Sequence, residues 1–282
     1  MESIFFYNGE FLQNDQLTLP LTDRALRYGD GVFETLKYAK NELHWVEDHY
    51  FRLMSNMRIM RMEIPDFLTP EFFRDTLLEL VQSNHRENDA VRLRFQAWRT
   101  DGGNYRPLSN EVNLMATAEV LVDQDYTPRS GDFRIDIFKD YHKPRSLLSN
   151  VKSCNAQLYV LASVFAAENQ LDECLLINDE KNIVEAISSN VMLINGKTLT
   201  TPPLTSGCLK GIMRKRIVEK LAPYLGFQVE EKDFNPFALL KADEIWLTNS
   251  ITGIQPVTHY RKRELATTEA QRMIEMINAQ FG

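Results

Sequence analysis

The chain has 282 residues, more than the ~250 at which a single hydrophobic core usually stops growing, so one large domain or two modest ones are expected. Its 44% hydrophobic and 25% charged residues are the balance of an ordinary globular protein, which excludes disorder of the bulk chain. A net charge of −7 leaves no global positive field, which argues against nucleic acid or an anionic membrane as the main partner.

The opening segment MESIFFYNGEFLQNDQ has neither a basic stretch nor a long apolar one, and no apolar run reaches the ~18 residues of a membrane helix, so a soluble, unprocessed chain is expected. The cysteines Cys154, Cys174 and Cys208 are odd in number and form no C-x-x-C pair. That pattern argues against a disulfide framework and a zinc site, and it fits a reducing cytoplasm.

In chain order, Ile4 to Tyr7, the turn Asn8-Gly9 and Glu10 to Leu12 predict a hairpin. Val32 to Tyr38 alternates after the Gly29-Asp30-Gly31 turn, and Asn41-Glu42 predicts a second hairpin closing on Leu43 to Trp45. From Glu47 the spacing becomes helical, with Tyr50, Leu53, Met54, Met57 and Met60 on one face. Thr69-Pro70-Glu71 supplies an N-cap, a first-turn proline and an acidic first turn for a second helix. Val91 to Trp98 and Val112 to Ala118 read as strands, and the turn-rich stretch from Asp123 to Gly131 places a domain boundary near 122.

Beyond it, Arg134 to Phe138 predicts a strand, Asn155 to Gln170 a mostly apolar helix, and Cys174 to Ile177 and Ile183 to Ile194 two strands. A helix starts at Ile212 and is stopped by Pro223 and Gly226 near Leu225, and a last helix spans Thr268 to Asn278. The expected fold class is α+β with two domains, 1–122 and 123–282.

None of the five histidines stands in a nucleophile or metal pattern, and the Walker phosphate loop is absent. Ser149 to Ala162 is more informative, because one lysine, Lys152, sits at the mouth of an uncharged apolar helix. Taken out of water its amine would be neutral and nucleophilic. Spacing alone favours an exposed lysine, because buried lysines are rare.

Six ordered blocks resemble one family, the fold-type IV pyridoxal-phosphate enzymes: branched-chain aminotransferases, D-amino-acid aminotransferases and 4-amino-4-deoxychorismate lyases. Arg24 to Thr35 is similar to its Y/F-G-D-G-x-F/Y-E block, and His49 to Leu53 to its H-x-x-R-L. Val151 to Asn155 resembles the K-x-x-N block of the cofactor lysine, and Glu185 to Val191 the E-x-x-x-x-N strand after it. Leu209 to Arg214 and Thr248 to Val257 complete the set.

The resemblance implies a small amino-terminal α/β domain, a larger carboxy-terminal mixed, β-barrel-like domain, and pyridoxal 5′-phosphate lying between the two. It implies a homodimer whose subunits both contribute to the active sites. Lys152 would form the Schiff base and then act as acid and base, and Glu185 would pair with the pyridine nitrogen. Arg52, the amides of Ile212 and Met213 after Gly211, and Ser250, with Thr248 or Asn249, would hold the phosphate. Ser189 and Asn190 would be further cofactor contacts.

Tyr28, Phe33, Arg92, Arg94, Arg99 and Arg106 would line the substrate side, with Arg106 the preferred carboxylate clamp. Read from residues alone, Glu185 could be a solvated strand glutamate, Arg52 a surface arginine and Ser250 a turn serine. Alternation equally allows Arg92 and Arg94 a solvated sheet face.

Two departures from the family stand out: Met213 replaces a frequent threonine, and Ala156-Gln157 replaces the Asn-Tyr of branched-chain enzymes. The implied activity is amino exchange between an amino acid of branched-chain or D-type and a 2-oxo acid. The alternatives are 4-amino-4-deoxychorismate lyase, which yields 4-aminobenzoate and pyruvate, and a non-catalytic relative that keeps the fold as a scaffold.

Overall fold

A computed structural model describes residues 4–281; Met1 to Ser3 of the acidic opening segment and Gly282 lie outside them. The chain divides into two compact units, Met1–Asp125 with Val151–Ala156, and Tyr126–Asn150 with Gln157–Gly282.

The first unit is one antiparallel sheet with helices. Its strands are β1 (Ile4–Tyr7), β2 (Glu10–Gln13), β3 (Gly31–Ala39), β4 (Glu42–Leu43), β5 (Ala90–Arg99) and β6 (Val112–Leu121), in the order β2-β1-β6-β5-β3-β4. The helices are α1 (Arg24–Tyr28), α2 (Val46–Ile59) and α3 (Pro70–Ser83). Thr69 Oγ1 accepts a hydrogen bond from Phe72 N at 3.2 Å, the N-cap its sequence foretells. The hairpin on Leu43 to Trp45 is shorter than expected, because Trp45 turns left-handed (φ 52°) and starts α2 instead of extending the strand.

Leu53, Met54 and Met57 of α2 and Phe73, Leu77 and Leu80 of α3 pack with Leu36, Leu93 and Phe95 of the sheet. Each such buried side chain contributes about 1.5–3 kcal/mol of transfer free energy. The unit runs to Asp125, beyond the expected boundary at 122, because Lys37 Nζ donates to Asp125 O (2.6 Å) and Lys40 pairs with the Asp125 carboxylate (2.8 Å).

The second unit carries β7 (Arg134–Ile137), β8 (Glu173–Ile177), β9 (Ile183–Ala186), β10 (Asn190–Asn195), β11 (Thr198–Thr201), β12 (Gln228–Glu231), β13 (Glu244–Asn249), β14 (Gly253–Pro256), β15 (His259–Tyr260) and β16 (Arg263–Glu264). They form two five-stranded sheets, β12-β11-β10-β13-β14 and β16-β15-β7-β8-β9. Both sheets are open, with no closed barrel among the described residues, because each ends on strands with a single neighbour. Ile135, Leu175 and Ile183 from one sheet and Val191, Leu193, Ile245 and Leu247 from the other share one core.

The helices here are α4 (Gln157–Glu168), α5 (Ile212–Arg216), α6 (Ala222–Tyr224), α7 (Pro236–Leu239) and α8 (Thr268–Asn278). A π-turn over Ile217–Leu221 joins α5 to α6, so one helical run ends before Leu225 as Pro223 and Gly226 foretell. No helix among the described residues is long and apolar enough to cross a membrane.

Two readings need correction. The expected strand from Ile183 to Ile194 is broken, because Ala186 N donates to Ser189 O (2.8 Å) in a tight turn that sends β9 and β10 into different sheets. The helix expected from Asn155 starts at Gln157. Val151–Ala156 instead runs beside β3, where Phe33 N donates to Lys152 O (3.0 Å) and Cys154 N to Gly31 O (2.8 Å). Lys152 therefore lies on an extended segment of the first unit.

Candidate active site

The candidate residues fall into two groups, one in each unit. In the first, Asp30 joins two arginines, accepting from Arg24 Nε at 2.8 Å and from Arg99 Nη1. Arg24 also donates to Gly102 O and Asn104 O, and Arg99 to Met60 O and to Asn110 Oδ1 at 3.1 Å. Arg99 is thus occupied in fixing the loops around β5. Gly29 ends α1 at φ 60°, and a Cβ there would meet Asn155 N at 3.2 Å, so a side chain would push away the segment that carries Lys152.

The H-x-x-R block sets His49 and Arg52 one turn apart on α2, and both reach the buried Glu34 of β3. Arg52 donates from Nε to Glu34 Oε1 (2.8 Å) and from Nη2 to Oε2 (2.5 Å), and His49 Nδ1 lies 2.7 Å from Oε2. Burial alone would raise the Glu34 carboxyl, but Arg52 and His49 outweigh it and hold the group at about 2. Arg52 is thus a buried, oriented guanidinium rather than a surface one. The sequence assigns no role to Glu34 or His49, although each stands within a motif block.

Beside this network Lys152 Nζ lies 4.4 Å from the centre of the Phe33 ring, and Arg94 Cζ lies 3.6 Å from it. Arg94 donates to Gln96 Oε1 from Nε (3.2 Å) and Nη2 (2.9 Å) and is hydrogen-bonded to Cys154. Burial lowers the Arg94 guanidinium and raises the Cys154 thiol from their ordinary values.

The other expected substrate residues lie elsewhere. Arg92 is exposed and paired with Glu119 at 3.6 Å, the solvated face that alternation allowed. Arg106 is exposed in the loop between β5 and β6, and Tyr28 packs on Tyr105 (ring centres 5.7 Å) and under Arg24 (5.0 Å). The guanidinium on Phe33 is that of Arg94, not Arg106.

In the second unit Glu185 of β9 is 2% exposed, not a solvated strand glutamate. Its Oε2 accepts from Leu209 N (2.6 Å), and its Oε1 from Tyr159 Oη of α4 (2.7 Å) and from Lys143 Nζ. Burial, with the nearby Glu185 charge, raises the Tyr159 phenol far above its ordinary value, so it stays a neutral donor. Lys143 is itself only 4% exposed and is anchored by its backbone N to Ile177 O at 2.9 Å. Neither Lys143 nor Tyr159 was foreseen. Lys143 stands 42 residues before Glu185 with no periodic signal linking the two.

A cradle lies on the same unit. Asn190 and Thr248 are cross-strand partners of β10 and β13, and α5 packs against β13. Asn190 Nδ2 donates to Leu209 O (2.9 Å), while a Cβ on Gly211 would collide with Asn190 Oδ1. After Gly211, the amides of Ile212 and Met213 open a helical run and lack intrahelical carbonyl partners. Asn249 Nδ2 donates to Ser189 Oγ (3.1 Å), and its Oδ1 accepts from Ile251 N and Thr252 N, shaping the turn that carries Ser250. Thr248 Oγ1 is buried with no hydrogen-bond partner among the described residues.

This architecture and its motif order define a fold-type IV enzyme, and comparison with known proteins agrees. The family model described as Amino-transferase class IV matches residues 31–260, and the chain belongs to that family. An aminodeoxychorismate lyase of Vibrio harveyi is 26% identical over 246 residues, covering 86% of this chain and 88% of the lyase. A putative branched-chain-amino-acid aminotransferase of Methanocaldococcus jannaschii is 27% identical over 279 residues, with 98% and 94% covered. A D-alanine aminotransferase of Bacillus licheniformis is 27% identical over 252 residues, with 89% and 86% covered.

The branched-chain amino acid aminotransferase from Thermobaculum terrenum, solved in its PLP-form, shares the fold at a TM-score of 0.86 and 22% identity, with 100% of this chain and 95% of that one covered. Class IV aminotransferases use pyridoxal 5′-phosphate. The residues fit that group: a partnerless buried Thr248 hydroxyl, helix-start amides and a Gly211 that must lack a side chain suit a phosphate. A buried carboxylate at Glu185 suits a protonated ring nitrogen.

Proposed function

We propose that this protein is a pyridoxal 5′-phosphate-dependent aminotransferase that moves an amino group between an amino acid, of branched-chain or D-type, and a 2-oxo acid. The observation that carries the reading is the placement of the Lys152 amine and the Arg94 guanidinium on one Phe33 ring. Such a pair offers an acid-base amine beside a cation for an α-carboxylate.

When bound, the cofactor supplies an aldehyde that exchanges amino groups and a ring that withdraws electrons from the substrate Cα. Lys152 Nζ would remove the Cα proton and deliver it to the carbonyl-derived carbon of the cofactor, two atoms from Cα. Arg94 orients the substrate carboxylate and Phe33 walls its side chain. In the first unit Arg52, steadied by Glu34, would be a phosphate ligand; in the second, the amides of Ile212 and Met213, Thr248 and Ser250 would be phosphate donors, with Ser189 and Asn190 shaping the cradle. Glu185 holds a proton at the ring nitrogen. Of the other expected substrate contacts, Tyr28 packs on Tyr105, Arg92 pairs with Glu119 and Arg106 is exposed.

We also read the protein as a cytoplasmic homodimer, a reading supported by its free cysteines and by apolar residues left exposed on α4. The test is the visible spectrum of the purified protein as L- and D-amino acids are added singly. Bleaching to the pyridoxamine form by a class of amino acids, abolished in Lys152→Ala, is the expected result. Aminodeoxychorismate lyase is the second reading, favoured by Asn155 three residues after Lys152. A spectrum that no amino acid bleaches, with 4-aminobenzoate and pyruvate released from aminodeoxychorismate, would establish the lyase instead.

A further inference from the structure

Glu185 has more partners than its proposed task requires. A buried carboxylate meant only to hold a proton at a ring nitrogen is served by neutral donors, and Tyr159 Oη and Leu209 N already provide them. The third partner, Lys143, brings a full positive charge into the same buried pocket of the second unit. It reaches there from a loop fixed at both ends of the contact: its backbone N is tied to Ile177 O, and Ser149 Oγ donates to Pro144 O at 2.6 Å just beyond it. The remaining titratable groups facing this cluster are Tyr159 of α4, Cys208 before α5, and Arg214 of α5, which acts on Cys208. Burial raises the thiol of Cys208 to about 11 and raises the Tyr159 phenol, so at neutral pH neither adds a charge beside Glu185.

We propose that Lys143 is a positioning residue that weakens the hold of Glu185 on the cofactor ring proton, by sharing the same carboxylate with it. This inference rests on the proposed function, because it takes Glu185 as the ring-nitrogen partner. The physics is Coulombic: two cations on one buried carboxylate disfavour one another, and a like charge at such range moves a proton equilibrium by about one unit or more. The ring nitrogen in this protein therefore loses its proton more readily than it would beside Glu185 alone. Electron withdrawal from the substrate is tempered accordingly.

The experiment is reconstitution of the protein with pyridoxal 5′-phosphate labelled with ¹⁵N in the ring, followed by the ring-nitrogen chemical shift across pH. In Lys143→Gln, which keeps a donor but removes the charge, and in Lys143→Met, the titration midpoint should rise by about one pH unit or more, while Lys143→Arg keeps the unaltered protein's value. An unchanged midpoint in the neutral variants overturns the proposal. A second measurement needs no variant: the unaltered protein should prefer pyridoxal 5′-phosphate over its analogue with carbon in place of the ring nitrogen by less than about ten-fold. A preference of about a hundred-fold or more overturns the proposal as well. Failure of the protein to take up pyridoxal 5′-phosphate at all would refute the proposed function, and this inference with it.

Discussion

Gly211 and Glu34 illustrate how single residues support the two groups of the site. Because a Cβ on Gly211 would displace Asn190 Oδ1, Gly211→Ala should disturb the cradle without touching a core residue. Pyridoxal 5′-phosphate affinity should fall about ten-fold, the equivalent of one hydrogen bond lost, with the melting temperature of the cofactor-free protein nearly unchanged. Spectrophotometric titration and thermal melting check the two halves of that prediction.

Glu34 has its carboxyl at about 2 against an ordinary 4.5, so its contribution to stability is complete above pH 4.5 and is lost as pH falls towards 2. Glu34→Gln should flatten that acid limb and cost about 3 kcal/mol or more at pH 7, since Arg52 would keep a buried charge without its carboxylate. Urea unfolding midpoints at pH 7, 4.5 and 3 measure both effects.

At the level of elements, the approach to α2 carries a second pH response. Burial, reinforced by the charge of Lys37, lowers His44 from 6.5 to about 4, so the fold favours the neutral ring. Stability from this group is present above pH 6.5 and is lost as pH falls to 4, a window above that of Glu34. His44→Gln should reduce the fall of the urea midpoint between pH 7 and 4, leaving the share of the buried His49.

The elements legible in the sequence were those that satisfy local rules. α3 has its cap and proline, α8 its apolar stripe of Ala270, Met273, Ile274 and Ile277, and β5 its alternation. The break between β9 and β10 is hidden because the apolar runs Ile183-Val184 and Val191 to Ile194 flank it, so the serines between them read as strand residues. Asn155 and Ala156 read as helix for the opposite reason: the helix that follows is a local preference, while the bonds that hold Val151–Ala156 to β3 come from residues more than a hundred positions away. Lys143 is concealed likewise, 42 positions from Glu185 with no motif joining them, whereas Lys152 and Glu185 are legible only through their motif blocks.

For the whole molecule, the outer face of α4 bears on assembly. Val160 and Val164 are about half exposed, and only Ala162 and Ala166 of that helix are buried, an uneconomical arrangement for an isolated chain in water. If the protein is the homodimer proposed, Val164→Glu should shift sedimentation towards monomer by at least about ten-fold in dissociation constant while circular dichroism stays unchanged. A monomer already present in the unaltered protein would remove the basis for that assembly.

The assignment of Val151–Ala156 to the first unit also matters during synthesis. When Asp125 has emerged from the ribosome, every strand of the first sheet is outside it, yet the extended segment that borders β3 has still to emerge. At ~5–20 residues per second its arrival takes a few seconds more, during which the β3 edge formed by Gly31 and Phe33 faces solvent with its hydrogen bonds unmade. The nascent first unit is thus complete only after the opening of the second has been translated, and that interval is when a chaperone or a neighbouring nascent chain has access to an edge that the finished protein covers with its own lysine segment.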